Sequence, residues 1–379
     1  MANNNLNPFI IKGYISKEYF CDRENELMIL HRNLQNNVNT TLISPRKMGK
    51  SGLIFRFFED FSVENLIHPI YVDIYSSRSL TDFIRLLAEA ILIKFPEKTT
   101  IGKRFMKWLK GLRPLIGFDP FTGTPQIQIG FQSPQEVVYT LQGLFAFLEN
   151  QNTPIIMAID EFQQIGAYPE KNMEAILRTY IQPLKNIQFI FCGSNKSMMT
   201  EMFTHAQRPF FGTTRLLYLD KIDDGNYRVF IRNHFESNKK QIQDEALDAI
   251  LSWTKSHTFY TQNLCNYIFS TKHNFIDMNV VRKAMADILK ENESVFFQYR
   301  QLLTTDQWNY MIAVAKEGQI TQVTSQKFIS KYSIGTPANS RRILKSLIEK
   351  ELILENALQE KSTYQIYDLF LSRWLEVKY

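Results

Sequence analysis

A buried strand that runs directly into a phosphate-binding loop is the feature that most constrains the fold of this chain. Thr40–Ser44 is a run of β-branched and apolar residues, the next segment ends in Gly49-Lys50-Ser51, and an apolar-rich helical run follows at once. In a P-loop, backbone N–H groups and a helix N-terminus hold phosphates, a Lys neutralises their charge, and a hydroxyl holds Mg²⁺. The predicted nucleotide-binding residues of the loop are Arg46, Lys47, Met48, Gly49, Lys50, Ser51 and Gly52.

One residue departs from the full P-loop pattern, because Ser44 stands where the pattern has Gly. We expect the backbone at Ser44 to adopt a conformation that is open to a non-Gly residue, with Pro45 fixing the next φ. The phosphate contacts should then fall on Met48 to Ser51. Since a Gly-Lys-Ser or Gly-Lys-Thr triplet alone arises by chance roughly 0.2 times in a chain of this length, the motif needs support from other segments.

The composition is that of a soluble globular protein, with 44% hydrophobic and 22% charged residues among 379. This length is enough for two or three domains, and a net charge of +6 permits contact with nucleic acid without requiring it. Three widely spaced cysteines without a C-x-x-C motif favour a reducing cytoplasm, and the histidines form no metal-ligand pattern. With no secretory pattern at the N-terminus and no apolar run long enough for a bilayer, the sequence predicts a cytoplasmic protein without a membrane span.

Short apolar runs alternate with helical patterns as far as Asp220. The runs are almost continuously apolar, which is typical of parallel strands that are buried on both faces. The predicted strands are 40–44, 69–75, 154–160, 187–194 and 213–220, and the predicted helices are 50–61, 80–94, 135–149 and 170–184. This βαβ alternation predicts an α/β doubly wound domain, the parallel sheet core of a P-loop NTPase.

Residues 95–132 interrupt the alternation. A helix is predicted from Lys98 to Arg113, because apolar residues recur at helical spacing and cations occupy the other side. The apolar residues are Phe105, Trp108, Leu109 and Leu112, and the cations are Lys103, Arg104, Lys107 and Lys110. The alternating segment 126–131 then predicts a strand or hairpin. The basic side is either the solvated face of a packed helix or a contact for nucleic acid or an acidic membrane.

The pattern becomes all-helical after residue 223 and changes again near residue 304. Helices are predicted at 226–237, 244–255, 261–270 and 280–299, and then at 306–316, 324–331 and 338–350. A short hairpin at 352–354 and 364–366 completes a winged-helix plan. The predicted domains are an N-terminal segment 1–35, a P-loop core 36–222 with the insertion 95–132, an all-α domain 223–303 and a winged-helix domain 304–379.

A second motif supports the P-loop. Ile155–Asp160 is an apolar strand that ends in Asp160 and is followed by Glu161, which is the Walker B arrangement. At the carboxyl end of a parallel strand, Asp160 is predicted to orient Mg²⁺, with Ser51 as the other metal-site residue, and Glu161 to act as general base on the attacking water. An N-cap or a solvated charge is the alternative for the pair alone, but its combination with a P-loop makes Lys50, Asp160 and Glu161 the catalytic candidates.

A third strand, 187–194, ends in small and polar residues. In this order of strands, Ser194 or Asn195 would lie near the γ-phosphate and sense the nucleotide. Turn or cap roles are the equally common alternative for Ser and Asn at such a position.

At this point the chain resembles a known family, the archaeal-type P-loop ATPases within the STAND branch of AAA+-like NTPases. The resemblance begins at Asn7-Pro8-Phe9 and covers nearly the whole chain. It rests on motifs in the family's order: Phe20-Cys21-Asp22-Arg23-Glu24-Asn25-Glu26-Leu27, the P-loop, Asp160-Glu161, Cys192-Gly193-Ser194, Arg208-Pro209-Phe210-Phe211-Gly212, Tyr364-Gln365-Ile366-Tyr367-Asp368-Leu369-Phe370 and Trp374.

The resemblance implies an ATPase core, a helical lid and a C-terminal winged helix, with ATP, ADP and Mg²⁺ as ligands. It also implies that Arg23 and Glu24 lie at the adenine end of the site. The family's lid motif is replaced here by Ser256-His257-Thr258-Phe259-Tyr260, which lacks both Gly and Pro. Arg208 and Arg215 are either arginines that stabilise the γ-phosphate or members of plain salt bridges.

The winged-helix region has a basic bias of its own. Residues 327–350 contain six Lys or Arg residues and a single acid, Glu349. Asn339, Ser340, Arg341 and Lys345 are predicted to face outward from its third helix, so this segment is a candidate DNA contact. Three hypotheses stay open: a Mg²⁺-dependent ATPase that acts as a nucleotide-driven switch, a nucleotide-gated DNA-binding regulator, and a scaffold that binds nucleotide tightly and associates with a protein partner or with itself.

Overall fold

A computed structural model describes residues 6–61, 66–356 and 362–379 of the chain. The chain divides into two units, one formed by Lys12–Ile222 and the other by Met1–Ile11 together with Asp223–Tyr379. The gaps 1–5, 62–65 and 357–361 lie in the predicted N-terminal segment, core and winged-helix domain, respectively. Within the described ranges, none of the helices is both long and apolar enough to cross a membrane.

The unit Lys12–Ile222 is built on a sheet of five parallel strands. Its strands, including two that form a separate hairpin, are β1 (Thr40–Ile43), β2 (His68–Asp73), β3 (Leu115–Phe118), β4 (Pro125–Gln128), β5 (Ile155–Asp160), β6 (Ile187–Gly193) and β7 (Arg215–Tyr218). The sheet has the order β2-β5-β6-β1-β7, and every pair in it is parallel. The predicted α/β class with a parallel P-loop sheet is therefore confirmed.

Helices cover both faces of this sheet. They are α1 (Glu24–Gln35), α2 (Lys50–Glu59), α3 (Leu80–Lys94), α4 (Thr100–Lys110), α5 (Pro134–Glu149), α6 (Met173–Ile181) and α7 (Lys196–Thr204). Successive residues of β1 belong to two different hydrophobic clusters. Leu42 packs with α1 and α2, while Ile43 packs with α3 and α5. Because β1, β5 and β6 are buried along their whole length, their sequences are apolar without alternation.

The order of the strands positions the site. β6 lies between β1 and β5, with Gly193 in register with Ile43 and Phe191 in register with Ile159. Since parallel strands end at the same edge, the residues that follow β1, β5 and β6 meet there. The P-loop, Glu161 and Ser194 are those residues.

The insertion 95–132 contains α4 followed by the antiparallel hairpin β3–β4. Phe105 and Leu109 of α4 are fully buried, and Trp108 and Leu112 are partly buried, as the helical spacing predicted. The hairpin is held to the core by the backbone N–H of Ile127, which donates to Glu89 Oε1 on α3 at 2.9 Å. The predicted helix and hairpin are both present.

The second unit is mainly helical. Its helices are α8 (Asp224–Ser237), α9 (Asp244–Thr254), α10 (Thr258–Ser270), α11 (Met278–Glu291), α12 (Glu293–Leu302), α13 (Thr305–Glu317), α14 (Gln326–Tyr332), α15 (Pro337–Glu349) and α16 (Leu369–Lys378). Its strands are β8 (Gln241–Ile242), β9 (Phe275–Ile276), β10 (Ile353–Asn356) and β11 (Thr363–Ile366). Phe9 is fully buried in this unit, with its ring centroid 5.0 Å from that of Phe235.

Two expectations for the segment 223–303 were wrong. The single helix predicted at 280–299 is interrupted at Asn292, whose side-chain amide donates to the Ile288 carbonyl at 2.8 Å and competes with the helical pattern. The segment predicted as purely helical also contains the short parallel pair β8–β9.

The C-terminal helices and hairpin have the winged-helix arrangement. Helices α13, α14 and α15 precede the antiparallel pair β10–β11, and the bridge between Ile320 and Tyr364 joins the hairpin to the segment after α13. Ser340 does not face outward as predicted, because it is fully buried and its hydroxyl donates to the Val323 carbonyl at 2.6 Å. Arg341 and Lys345 are exposed.

Candidate active site

The loop between β1 and α2 has the backbone of a phosphate-binding turn. Left-handed conformations occur at Lys47 (φ 66°) and at Gly49 (φ 93°), and α2 begins at Lys50. Ser44 has no positive φ and is almost fully buried, with its N–H donating to the Gly193 carbonyl at 3.3 Å. The expectation that a non-Gly residue is compatible with the backbone at position 44 is therefore confirmed.

Three charged side chains converge in front of this loop. Lys50 Nζ lies 3.4 Å from Asp160 Oδ1 and 3.3 Å from Glu161 Oε1. Lys50 and Asp160 are both buried. Burial opposes the charged form of Lys50, but attraction to Asp160 and Glu161 outweighs it and raises the pKa of Lys50 above its ordinary value. The lysine is therefore held as a cation at the point where the loop would hold phosphates.

Oxygen atoms surround the second carboxylate oxygen of Asp160. Ser51 Oγ donates to Asp160 Oδ2 at 3.0 Å, and the Tyr71 hydroxyl donates to the same oxygen at 2.6 Å. Burial, reinforced by the negative charge of Asp160, raises the pKa of Tyr71, which keeps its hydroxyl protonated. Carboxylate and hydroxyl oxygens are the ligands that Mg²⁺ prefers, so Ser51 and Asp160 fit the predicted metal site.

Glu161 is held by neighbours on both of its oxygens. Its backbone is left-handed (φ 56°), and Oε2 accepts hydrogen bonds from Ser194 Oγ at 2.6 Å and from Gln163 Nε2 at 2.5 Å. A Cβ atom on Gly193 would lie 2.4 Å from Gln163 Oε1, so a glycine at the end of β6 leaves room for this glutamine. Glu161 Oε1 faces Lys50.

The remaining predicted residues have different surroundings. Asn195 is exposed and caps α7 by accepting from the Met198 N–H at 3.0 Å. Arg23 is buried, and it donates to the Asp220 carbonyl at 2.6 Å and pairs with Glu26 at 2.9 Å, whereas Glu24 is exposed. Arg46 lies over the ring of Tyr75, 5.6 Å from its centroid.

The structure places the two candidate γ-phosphate arginines in ordinary polar contacts. Arg208 pairs with Glu174 at 3.0 Å and lies 3.8 Å from Glu201. Arg215 donates to Asn33 Oδ1 at 3.4 Å. In the lid sequence, Ser256 hydrogen bonds to Asp224, and His257 precedes α10 with its ring 4.7 Å from that of Tyr260.

Sequence reasoning missed two polar residues of the site, Tyr71 and Gln163. Tyr71 lies in the middle of β2, and only the pairing of β2 with β5 brings its hydroxyl to Asp160. Gln163 follows Glu161 by two positions, so a polar side chain close behind the Walker B acids was the available signal.

Comparisons with known proteins agree with this geometry. The profile of a family described as an ATPase domain predominantly from Archaea matches residues 20–302, and that of a probable winged helix domain matches residues 294–377. No curated protein matches the chain.

Solved structures with the same fold have low sequence identity to this chain. A Walker-type ATPase of Pyrococcus abyssi is 17% identical, with a TM-score of 0.64 over 97% of this chain and 99% of that chain. The ORC2 protein of Aeropyrum pernix is 14% identical, with a TM-score of 0.58 over 98% of both chains. The ORC1 protein of Aeropyrum pernix in complex with DNA is 14% identical, with a TM-score of 0.52 over 94% of this chain and 93% of that chain.

Proposed function

This chain belongs to the family of ATPase domains found predominantly in Archaea, and from that premise we propose that it hydrolyses ATP to ADP and phosphate in a Mg²⁺-dependent reaction and acts as a nucleotide-driven switch. The observation that carries the proposal is the position of Lys50 at the end of the sheet, where its Nζ lies within 3.4 Å of a carboxylate oxygen of Asp160 and of Glu161. A protein that only binds nucleotide has no need of the second carboxylate, so Glu161 favours hydrolysis.

The loop and Lys50 bind the phosphates in this mechanism. The N-terminus of α2 directs its partial positive charge at them, and Lys50 exchanges its contacts with the two acids for the β- and γ-phosphate oxygens. Ser51 and Asp160 hold Mg²⁺, which when bound neutralises further phosphate charge. Arg23 and Glu24 remain our candidates for the adenine end.

Glu161 accepts the proton of the attacking water. Ser194 and Gln163 orient its carboxylate through Oε2, which leaves Oε1 for the water once Lys50 has moved to phosphate. Because Oε1 becomes available to the water only after Lys50 has left it, we expect slow turnover. Ser194 rather than Asn195 is then the residue that couples β6 to the nucleotide, while movement of the lid and winged helix reports the nucleotide state in the cytoplasm.

A matched pair of variants tests the proposal. Glu161→Gln preserves size and most hydrogen bonds but removes the base, so the rate of phosphate release should fall by about 10²- to 10⁴-fold with little change in ATP affinity. Glu97→Gln changes an exposed acid of the insertion and should leave the rate unchanged. Unchanged phosphate release in Glu161→Gln would exclude the general-base role.

Nucleotide-gated DNA binding through the winged helix is the second candidate function. Arg341, Lys345 and Lys350 are exposed on or next to α15, and the ORC1 structure of the same fold contains DNA. A salt series of duplex binding with and without ATP tests it, since phosphate contacts give a steep salt dependence. Negligible affinity at low salt in every nucleotide state counts against it.

A further inference from the structure

Helix α4 of the insertion is fixed in orientation by its apolar side. Phe105 is fully buried, with its ring centroid 5.7 Å from that of Trp108 and 5.0 Å from that of Phe147 on α5. A Cβ atom on Gly143 would lie 2.7 Å from Trp108 Cζ2, which measures how closely α5 approaches this helix. The opposite side of α4 must therefore face solvent.

That solvent side carries only positive charge. The segment from Lys98 to Arg113 contains no acidic residue, and all of its cations are exposed: Lys98, Lys103, Arg104, Lys107, Lys110 and Arg113. None of the six forms an ion pair with any residue in the described ranges. Lys103, Lys107 and Lys110 recur at i, i+4 and i+7, so they form one stripe about 10 Å long. Such a stripe matches a polyanion.

A hollow with aromatic walls lies where α4 meets α5. Trp108, half-buried on α4, and Tyr139, 69% exposed on α5, line a cavity of about 330 Å³. This volume is at the lower end of the roughly 300–1,000 Å³ range of small-ligand pockets. Ser133 and Glu136 add polar groups to the wall, so the hollow offers a stacking surface and hydrogen-bond acceptors together.

We propose that α4 and this hollow form a binding site for single-stranded nucleic acid, separate from both the nucleotide site and the winged helix. The stripe Lys103–Lys107–Lys110 contacts successive phosphates, and an unpaired base stacks in the hollow against Tyr139 and Trp108. The exposed Phe118 and Phe121 of the adjoining hairpin offer further stacking surfaces. A membrane fits less well, because the apolar side of α4 is already buried in the protein and cannot enter lipid.

Fluorescence anisotropy with labelled oligo-dT of roughly 16 nucleotides, the upper site size of one single-strand-binding module, tests this site in the full chain. The variant Lys103→Glu/Lys107→Glu/Lys110→Glu should bind at least about tenfold more weakly at low salt, with the log K against log[salt] slope reduced by about 2. Tyr139→Ala should weaken binding by roughly 5- to 150-fold. The matched control Arg282→Glu/Lys283→Glu/Lys290→Glu, which changes three exposed cations of α11, should bind oligo-dT like the wild type.

Three further arms decide between the alternatives. Retained ATP binding and an unchanged melting temperature in the α4 variant show that it is folded. The control variant, which carries the same change in net charge, then distinguishes an effect of α4 from an effect of net charge. Equal losses in the two triple variants, or no binding of oligo-dT at low salt, would overturn the proposal. Equal affinity for duplex DNA and oligo-dT would reject the single-strand assignment, and binding to vesicles with anionic lipid but not to oligo-dT would assign α4 to membranes.

Discussion

Lys50 of the P-loop and the lysines of α4 carry the same charge, but Lys50 is buried and the α4 lysines are exposed to solvent. Lys50 is buried and lies 3.3 to 3.4 Å from two carboxylate oxygens. Lys103 and Lys107 are exposed, and neither pairs with an acid in the described part of the chain. A buried charge costs free energy unless a partner compensates it, whereas an exposed charge keeps its water. The charge of the P-loop is therefore matched within the protein, while that of α4 is open to a partner from outside.

Of the variants that test this comparison, Lys50→Ala should have the largest effect. Lys50→Ala leaves Asp160 and Glu161 as neighbouring carboxylates without their cation, and it removes the charge that would face phosphate. Loss of one member of a buried charge pair costs about 2–5 kcal/mol, so ATP affinity should fall at least about 30-fold in isothermal titration.

The matched control is Lys103→Ala, which removes an equal charge from the exposed stripe. It should leave ATP affinity unchanged, because that lysine has no ion-pair partner among the described residues. If Lys50→Ala bound ATP as tightly as the wild type, the assignment of Lys50 to the phosphates would be wrong. If both variants weakened ATP binding equally, net charge and not the loop would explain the effect.

Tyr71→Phe tests whether a hydrogen bond from a neutral side chain also stabilises the charged groups of the nucleotide site, in addition to the ion pairs. The Tyr71 hydroxyl donates to Asp160 Oδ2 at 2.6 Å, and hydrogen bonds to charged groups contribute about 1.5–3 kcal/mol. We expect the free energy of unfolding in urea, measured without nucleotide, to fall by about 1–2 kcal/mol, since Ser51 still donates to the same oxygen.

Tyr139→Phe is the control for that measurement, because Tyr139 is exposed and its hydroxyl has no hydrogen bond to a described residue. Its free energy of unfolding should stay within about 0.5 kcal/mol of the wild type. Equal stability of Tyr71→Phe and the wild type would mean that water or Ser51 fully replaces the hydroxyl.

Tyr71 also marks the limit of what the sequence predicts. The strands β1, β5 and β6 were predictable because burial on both faces makes each one a nearly continuous run of apolar and β-branched residues. The residues at their carboxyl ends could then be placed at one edge. Tyr71 could not be placed, because its role depends on which strand β2 pairs with, and pairing is set by tertiary packing.

In the mainly helical unit, the sequence patterns were weaker guides to the structure. The break at Asn292 occurs without Gly or Pro, within an apolar periodicity that continues across it. Ser340 was predicted to face outward from its residue type, but a hydroxyl can be buried once it finds a backbone acceptor such as the Val323 carbonyl. That acceptor lies 17 positions before Ser340 in the sequence, so the residue type of Ser340 alone does not reveal it.

Ser44→Gly has the smallest expected effect and tests the loop's departure from the full pattern. Since Ser44 has no positive φ, glycine gains nothing in the native backbone and adds freedom to the unfolded chain. The free energy of unfolding should fall by about 0.5–1 kcal/mol, and ATP affinity should not change.

Gly49→Ala provides the opposite case within the same loop. Gly49 has a φ of 93°, where a side chain is strained by about 1–2 kcal/mol, and it directly precedes α2. This variant should lose both stability and ATP affinity. If Ser44→Gly instead tightened ATP binding tenfold, the serine side chain would be weakening phosphate binding in the wild type. The phosphate-contacting part of the loop would then begin at the end of β1 and not at Met48.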